Sequence, residues 1–377
     1  MMRIAILGAA GNAGRLLAQQ LAPELDDHAE LLLVGRRDTP LAALCEQINH
    51  QAGRTLAHTA CADFSDLPRM RTVLAGTQLV VVTAALGEHT APLAALVLEI
   101  GEDWLDIMLS NPAKWQALTA LVPAMAQQGR CFITDGGFHP GLPAAMARWA
   151  ANRIDALTQA EIYAAQRIDW QASTLSDSTL AEALDEFSVF DMHIWAHGRR
   201  RQLNLFALPR FTLAGPIGQK TCTPMPLGEM QALIDAIPTL QRANFYIAGF
   251  SPVCDWLLLP AIVMLTRCGA RTLALRTLRH MLTHRASSPP PHQLEITLMA
   301  EGRVAKDNVS MVLSLSGSDP YLITVLPAIA CIRQWLSDAP FPPGLHHQGM
   351  IVEPERFFSD LHHTTLTLSS RVTSLTE

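Results

Sequence analysis

The sequence predicts an α/β fold whose first part is a doubly wound parallel sheet. Three observations predict it. Short apolar runs alternate with helix-like segments over roughly the first 140 residues. The first run leads directly into a glycine-spaced turn and then a helical pattern. The chain of 377 residues also exceeds what one compact core usually organises, so two domains are expected.

Residues 3–7 (RIAIL) read as a buried parallel strand. They run into Gly8-Ala9-Ala10-Gly11-Asn12-Ala13-Gly14, and residues 15–21 (RLLAQQL) then show helical apolar spacing. Strand, glycine turn and helix are the context of a dinucleotide fingerprint. Glycines let the backbone turn tightly beside a pyrophosphate, whose charge faces the helix N-terminus. The spacing here is G-x-x-G-x-x-G rather than G-x-G-x-x-G. A Rossmann-type domain is therefore expected, with Gly8, Gly11 and Gly14 shaping the turn and Ala10, Asn12 and Ala13 completing it.

The next strand, residues 30–34 (ELLLV), ends in Gly35-Arg36-Arg37-Asp38. An NAD site usually has an acidic side chain here for the adenosine ribose, whereas a guanidinium can pair with a 2′-phosphate. Arg36 and Arg37 thus favour NADP, the alternative being ordinary solvated loop charges. Residues 55–61 form a third strand, after which Asp63 would meet the adenine edge or cap the following helix. Residues 78–83 form a fourth and end in small residues. Thr83, Ala84 and Ala85 suit close approach to a ribose, and suit a plain turn equally well. Helical spacing resumes at Thr90, and residues 103–108 and 131–134 supply the last two strands.

Composition narrows the function classes. With 49% hydrophobic and 16% charged residues the chain is globular, and its net charge of −6 gives no basis for binding nucleic acid. The seven cysteines are scattered without a C-x-x-C pair, so reduced and mostly buried thiols are expected. The longest apolar run, residues 256–266, contains Pro260 and falls short of the roughly 20 residues that span a bilayer. With no leader-like N-terminus, a cytoplasmic protein without an integral membrane segment is expected. His346-His347 and His362-His363 are adjacent pairs whose side chains diverge on a strand, so no metal site is expected.

A family resemblance rests on four stretches. Asp135-Gly136-Gly137-Phe138-His139-Pro140-Gly141-Leu142 resembles the G-F-D-P-G element of the saccharopine dehydrogenase-like family, and the glycine turn is similar to that family's first turn. Gly101-Glu102-Asp103-Trp104-Leu105-Asp106 resembles its G-x-x-Y-x-D strand. Pro343-Gly344-Leu345 and Glu353-Pro354-Glu355-Arg356-Phe357-Phe358 resemble its terminal signature. The resemblance implies an interrupted architecture: a Rossmann domain over 1–140, a mixed α/β substrate and dimerisation domain over 141–317, and a segment 318–377 returning to the first domain. The residues are compatible. Residues 161–170 read as a strand, 176–188 as a helix capped by Ser176, and 293–300 with 310–316 as paired strands. Residues 319–336 read as an apolar helix capped by Ser318 or Asp319, ended by Ser337-Asp338-Ala339-Pro340.

The resemblance implies an NADP-dependent oxidoreductase acting on a small molecule held between the domains, through the C=N bond of an amino-acid imine, and a homodimer is the default assembly. Reduction of a C=C bond in an acyl chain is a second reading, and a non-catalytic NADP-binding regulator a third. His139 and Asp106 are the candidate catalytic residues. His139 replaces the family's aspartate at the mouth of the nucleotide cleft, or caps the helix that follows. Asp106 ends a parallel strand, where ligands meet open α/β sheets, or forms a turn. Arg199-Arg200-Arg201 reads as a solvated turn, and residues 245–285 as an apolar-to-basic helical region suited to dimer packing, an apolar pocket, or a membrane or acidic partner.

Overall fold

A computed structural model describes residues 2–171, 175, 177–188, 192–204, 207–337 and 341–374. The chain divides into two compact units, residues 1–142 with 324–361 and residues 143–323 with 362–377. The run 318–377 is thus shared between them. The fold is the α/β class expected, and the return of the chain to the first unit is part of it.

In chain order the first strands are β1 (Met2–Leu7), β2 (Ala29–Gly35), β3 (Ala57–Cys61), β4 (Leu79–Val82), β5 (Asp103–Asp106) and β6 (Cys131–Thr134). The middle stretch holds β7 (Ala156–Arg167), β8 (His193–Ala196), β9 (Arg199–Gln202), β10 (Arg210–Leu213), β11 (Gly218–Pro224), β12 (Arg242–Ala248), β13 (Gln293–Val304) and β14 (Asp307–Gly317). β15 (Gly344–His347) and β16 (Thr367–Ser374) come last.

The first unit is built on a seven-stranded parallel sheet ordered β15-β6-β5-β4-β1-β2-β3. Its order reverses at β1, which pairs with β2 on one side and β4 on the other. β2, β4 and β6 are buried at every position, and residues 31–34, 79–82 and 131–133 within them are apolar runs without alternation. The core includes Leu7, Val34, Val80, Val82, Trp104 and Phe132, closed by Leu93, Ala94 and Val97 of the helix Thr90–Glu99. Adjacent strands end level with one another. Leu7 pairs with Val82, Val82 with Asp106, and Thr134 with His347, so these carboxyl ends form one row across the sheet.

The second unit has a seven-stranded mixed sheet, β10-β11-β12-β7-β13-β14-β16, and a separate β8-β9 hairpin. Register explains its core. Phe245, Ile162, Leu298 and Leu313 stand side by side on four adjacent strands and are all buried, while alternate residues Glu161, Tyr163 and Tyr246 point to the other face. The expected pairing of 293–300 with 310–316 is the β13-β14 hairpin. The arginine run differs from expectation. Arg199–Gln202 is a fully exposed strand, and the turn falls at His197 and Gly198, both at positive φ. A hairpin with a solvated face tolerates consecutive charges that a buried strand would not.

Helix limits also follow local chemistry. The helix Leu322–Trp335 starts from Asp319, whose Oδ1 accepts the backbone N–H groups of Tyr321 (2.8 Å) and Leu322 (3.0 Å). Ser176, expected to cap Asp177–Ser188, lies outside the described residues, as do 338–340 of the expected terminator. Among the described residues no helix is long and apolar enough to cross a membrane.

Candidate functional site

The glycine turn joins β1 to the helix Asn12–Leu21. Gly8 has φ +87°, and a Cβ there would stand 2.8 Å from that of Ala84. A Cβ on Gly14 would lie 2.3 Å from the Gly8 carbonyl and 2.6 Å from Thr83 Oγ1. Thr83 closes the arrangement by donating from both N (3.0 Å) and Oγ1 (2.9 Å) to the Leu7 carbonyl. Gly11 is the N-cap in extended conformation, and no side chain caps the helix. The cap position itself offers the first amides no side-chain acceptor, which suits a pyrophosphate. Gly8, Gly11, Gly14, Thr83 and Ala84 are brought together; Ala85 follows, exposed.

Arg36 and Arg37 are exposed beyond the end of β2. The Arg36 carbonyl accepts the Cys61 thiol at 3.3 Å, which ties it to the end of β3. Asp63 sits in the same corner. Ser65 donates to Asp63 Oδ1 from its hydroxyl (2.7 Å) and its amide (2.9 Å). These two bonds hold the Asp63 carboxyl below its ordinary range, and the charges of Arg36 and His89 assist. Asp63 therefore does not cap the next helix. Asp66 does, accepting from Arg69 N at 3.0 Å.

Asp106 is 1% exposed at the end of β5 and anchors a cluster that extends well beyond it. It accepts from Trp104 Nε1 (2.8 Å), the Met108 amide (3.1 Å) and Lys114 Nζ (2.5 Å). Lys114, in the helix Pro112–Thr119, also donates to the Met108 carbonyl, and its Nζ is 3.9 Å from Asp135 Oδ1. That same oxygen accepts the Ser110 amide at 2.7 Å, while Oδ2 lies 2.7 Å from His347 Nδ1. Burial favours the neutral form of Asp135. The His347 hydrogen bond, the charges of Lys114 and His347, and the Ser110 side chain outweigh it and hold the carboxyl below its ordinary value. The His347 imidazole stacks on Trp115, with centroids 4.6 Å apart and planes 1° from parallel.

Sequence reasoning reaches Asp106 but not Lys114, Asp135 or His347 as a set. A lysine inside a helical run carries no sign of burial, and His347 is separated from Asp135 by more than half the chain. The available signal is Asp135 itself, a non-glycine residue at φ 59° opening a glycine-rich turn. His139 lies further along that turn, half-buried, with its ring edge-on to Phe138 at 4.9 Å. Beside it the Gln348 amide is fully buried between Gly136 and Gly141, where added Cβ atoms would come within 2.8 and 2.9 Å of it.

No family model and no curated protein matches the sequence. Among solved structures, the apo saccharopine dehydrogenase (L-Glu forming) of Saccharomyces cerevisiae aligns over 99% of this chain and 100% of that one, at 12% identity and a TM-score of 0.69. The chain has the saccharopine dehydrogenase fold. A meso-DAPDH variant with DAP, from Clostridium tetani E88, covers 97% of both chains at 12% identity with a TM-score of 0.45. The alignment with the yeast protein runs over both units from end to end.

Proposed function

We propose that the protein is an NADP-dependent oxidoreductase of the saccharopine dehydrogenase-like type that reduces the C=N bond of an amino-acid imine. The observation that carries the reading is the uncapped glycine turn at the sheet's switch point, with Arg36 beyond the neighbouring strand. The yeast protein that shares the fold, a saccharopine dehydrogenase, supports the same reaction class by analogy. Gly8, Ala10, Gly11, Asn12, Ala13 and Gly14 would hold the pyrophosphate. Arg36 and Arg37 would hold the 2′-phosphate, Asp63 would stand near the adenine, and Thr83, Ala84 and Ala85 would line the ribose. A bound reduced nicotinamide supplies a hydride. The chain's task is to orient the acceptor, exclude water and move the accompanying proton, with His139 and Asp106 as the residues read for this from the sequence.

The C=C alternative asks for an apolar tunnel near residues 256–265. There Cys254 and Ile262 are packed into a satellite core with Leu180 and Leu184, while Trp256, Leu257 and Met264 are exposed. This favours the imine reading. In the same reading the protein is cytoplasmic and homodimeric, and a second copy covers those exposed apolar side chains.

Calorimetry with NADPH and NADH in one buffer tests the cofactor assignment. NADPH should bind more tightly, and Arg36→Ala should weaken NADPH by ten-fold or more (about 1.4 kcal/mol) while leaving NADH nearly unchanged. Equal losses for both cofactors, or no binding of either, would sink the assignment.

A further inference from the structure

We propose that Asp135 and His347 form a carboxylate–imidazole acid–base pair, with His347 Nε2 as the atom that exchanges a proton with the ligand. The inference rests on the oxidoreductase reading and names the group that would handle its proton.

Four features point to it. His347 Nδ1 is 2.7 Å from Asp135 Oδ2, so a neutral imidazole donates Nδ1–H to the carboxylate and turns its lone pair outward at Nε2. Asp135 is itself fixed, by the Ser110 amide on Oδ1 and by Lys114 at 3.9 Å, and Lys114 is held in turn by Asp106 at 2.5 Å. The ring cannot swing freely, because Trp115 stacks parallel to it. Nε2 has no partner among the described residues and is not one of the side-chain atoms sealed from solvent, although the residue as a whole is 7% exposed. One face of the ring is held and one nitrogen is presented.

Position agrees with this role. His347 ends β15 in the same row of carboxyl strand ends that begins at the glycine turn after β1 and passes through β4 and Asp106. Ligands of open α/β sheets bind along that edge. Among the described residues, Asp135 contacts the imidazole, Lys114 stands on the far side of that carboxylate, and His346 is adjacent in the chain. His346 points away, its Nε2 lying 3.0 Å from the Pro342 carbonyl. The carboxylate, not a second cation, is thus the group in contact.

In the reducing direction the imidazolium Nε2–H bond breaks and its electron pair stays on Nε2. The proton joins the substrate atom that receives the π pair of the reduced double bond. Asp135 remains ionised throughout, and water restores the proton to Nε2. In the oxidising direction the same nitrogen takes the proton from the substrate.

The test uses the full-length protein and diethyl pyrocarbonate, which acylates an unprotonated imidazole nitrogen, with peptide mass spectrometry to read each histidine. At pH 7.5 His347 should be acylated at a rate comparable to or above that of the exposed His28 and His362. Asp135→Asn should slow acylation of His347 at least about five-fold, because the amide can impose the other tautomer, while His28 and His362 react as before. Asparagine tolerates the positive φ at this position, so the backbone is preserved. Nitrogen-15 NMR of the imidazole, assigned against His347→Gln, should show the proton on Nδ1 in the wild type. An unreactive His347, an unchanged rate in Asp135→Asn, or the proton on Nε2 would overturn the pair. NADPH affinity is measured on the same samples. Wild-type protein that fails to bind NADPH counts against the cofactor reading, whereas normal binding with an unreactive His347 counts against the pair alone.

Discussion

Gly14 shows how little room the candidate nucleotide turn leaves. A methyl group there would sit 2.3 Å from a backbone oxygen and 2.6 Å from Thr83 Oγ1, so β1, the turn and the end of β4 would have to part. Gly14→Ala should cost about 2 kcal/mol or more in chemical denaturation and remove NADPH binding; wild-type stability and affinity would refute the close packing. Glu102 makes a different residue-scale case. It is 8% exposed, and burial raises its pKa to about 7, with Arg130 opposing and Asp103 adding to the shift. The folded state therefore holds a proton that the unfolded chain releases, and this contribution is full below about pH 4.5 and lost as pH rises through 7. Glu102→Gln should stabilise the protein at pH 8 by on the order of 2 kcal/mol, once solvent screening is allowed for, and by nothing near pH 4. Melting curves at both values check it, and a pH-independent difference would rule out titration as the cause.

Among the elements, strands are legible where burial on both faces leaves an unbroken apolar run, as in β4, and where alternation marks a one-faced sheet, as in β14. Caps are less legible, because several short polar residues compete near each helix start. Asp66 and Asp63 differ only in which amides the backbone turns toward them. The glycine turn can be read because its chemistry is contiguous, while Lys114 and His347 cannot, since only the fold brings β15 beside β6. The region around residues 254–286 has an amphipathic sequence. It divides into Cys254, Ile262, Ala274, Leu278 and Met281 facing a small core and Trp256, Leu257, Met264 and Leu273 facing out, at 51, 64, 62 and 52% exposure. If those outward residues are the dimer contact, Trp256→Lys with Leu257→Lys should halve the mass found by light scattering while leaving the fold intact. An unchanged mass would remove this face from the dimer.

For the molecule as a whole, the two-unit organisation follows from length and the return of the chain from the terminal motifs. The final crossing is not legible. Residues 367–374 leave the first unit and form β16 on the free edge of β14, eight exposed or half-buried positions with little apolar pattern to announce them. This order has a consequence during synthesis. Most of the first sheet emerges from the ribosome within some 140 residues, yet its outermost strand β15 arrives only at residue 344. Asp135 is therefore made long before the histidine it orients. On the proposed reading, a nascent chain can fold its candidate nucleotide-binding turn before the proposed acid–base pair exists, and any early binding would be chemically silent until the 212 positions from Asp135 to His347 have been made.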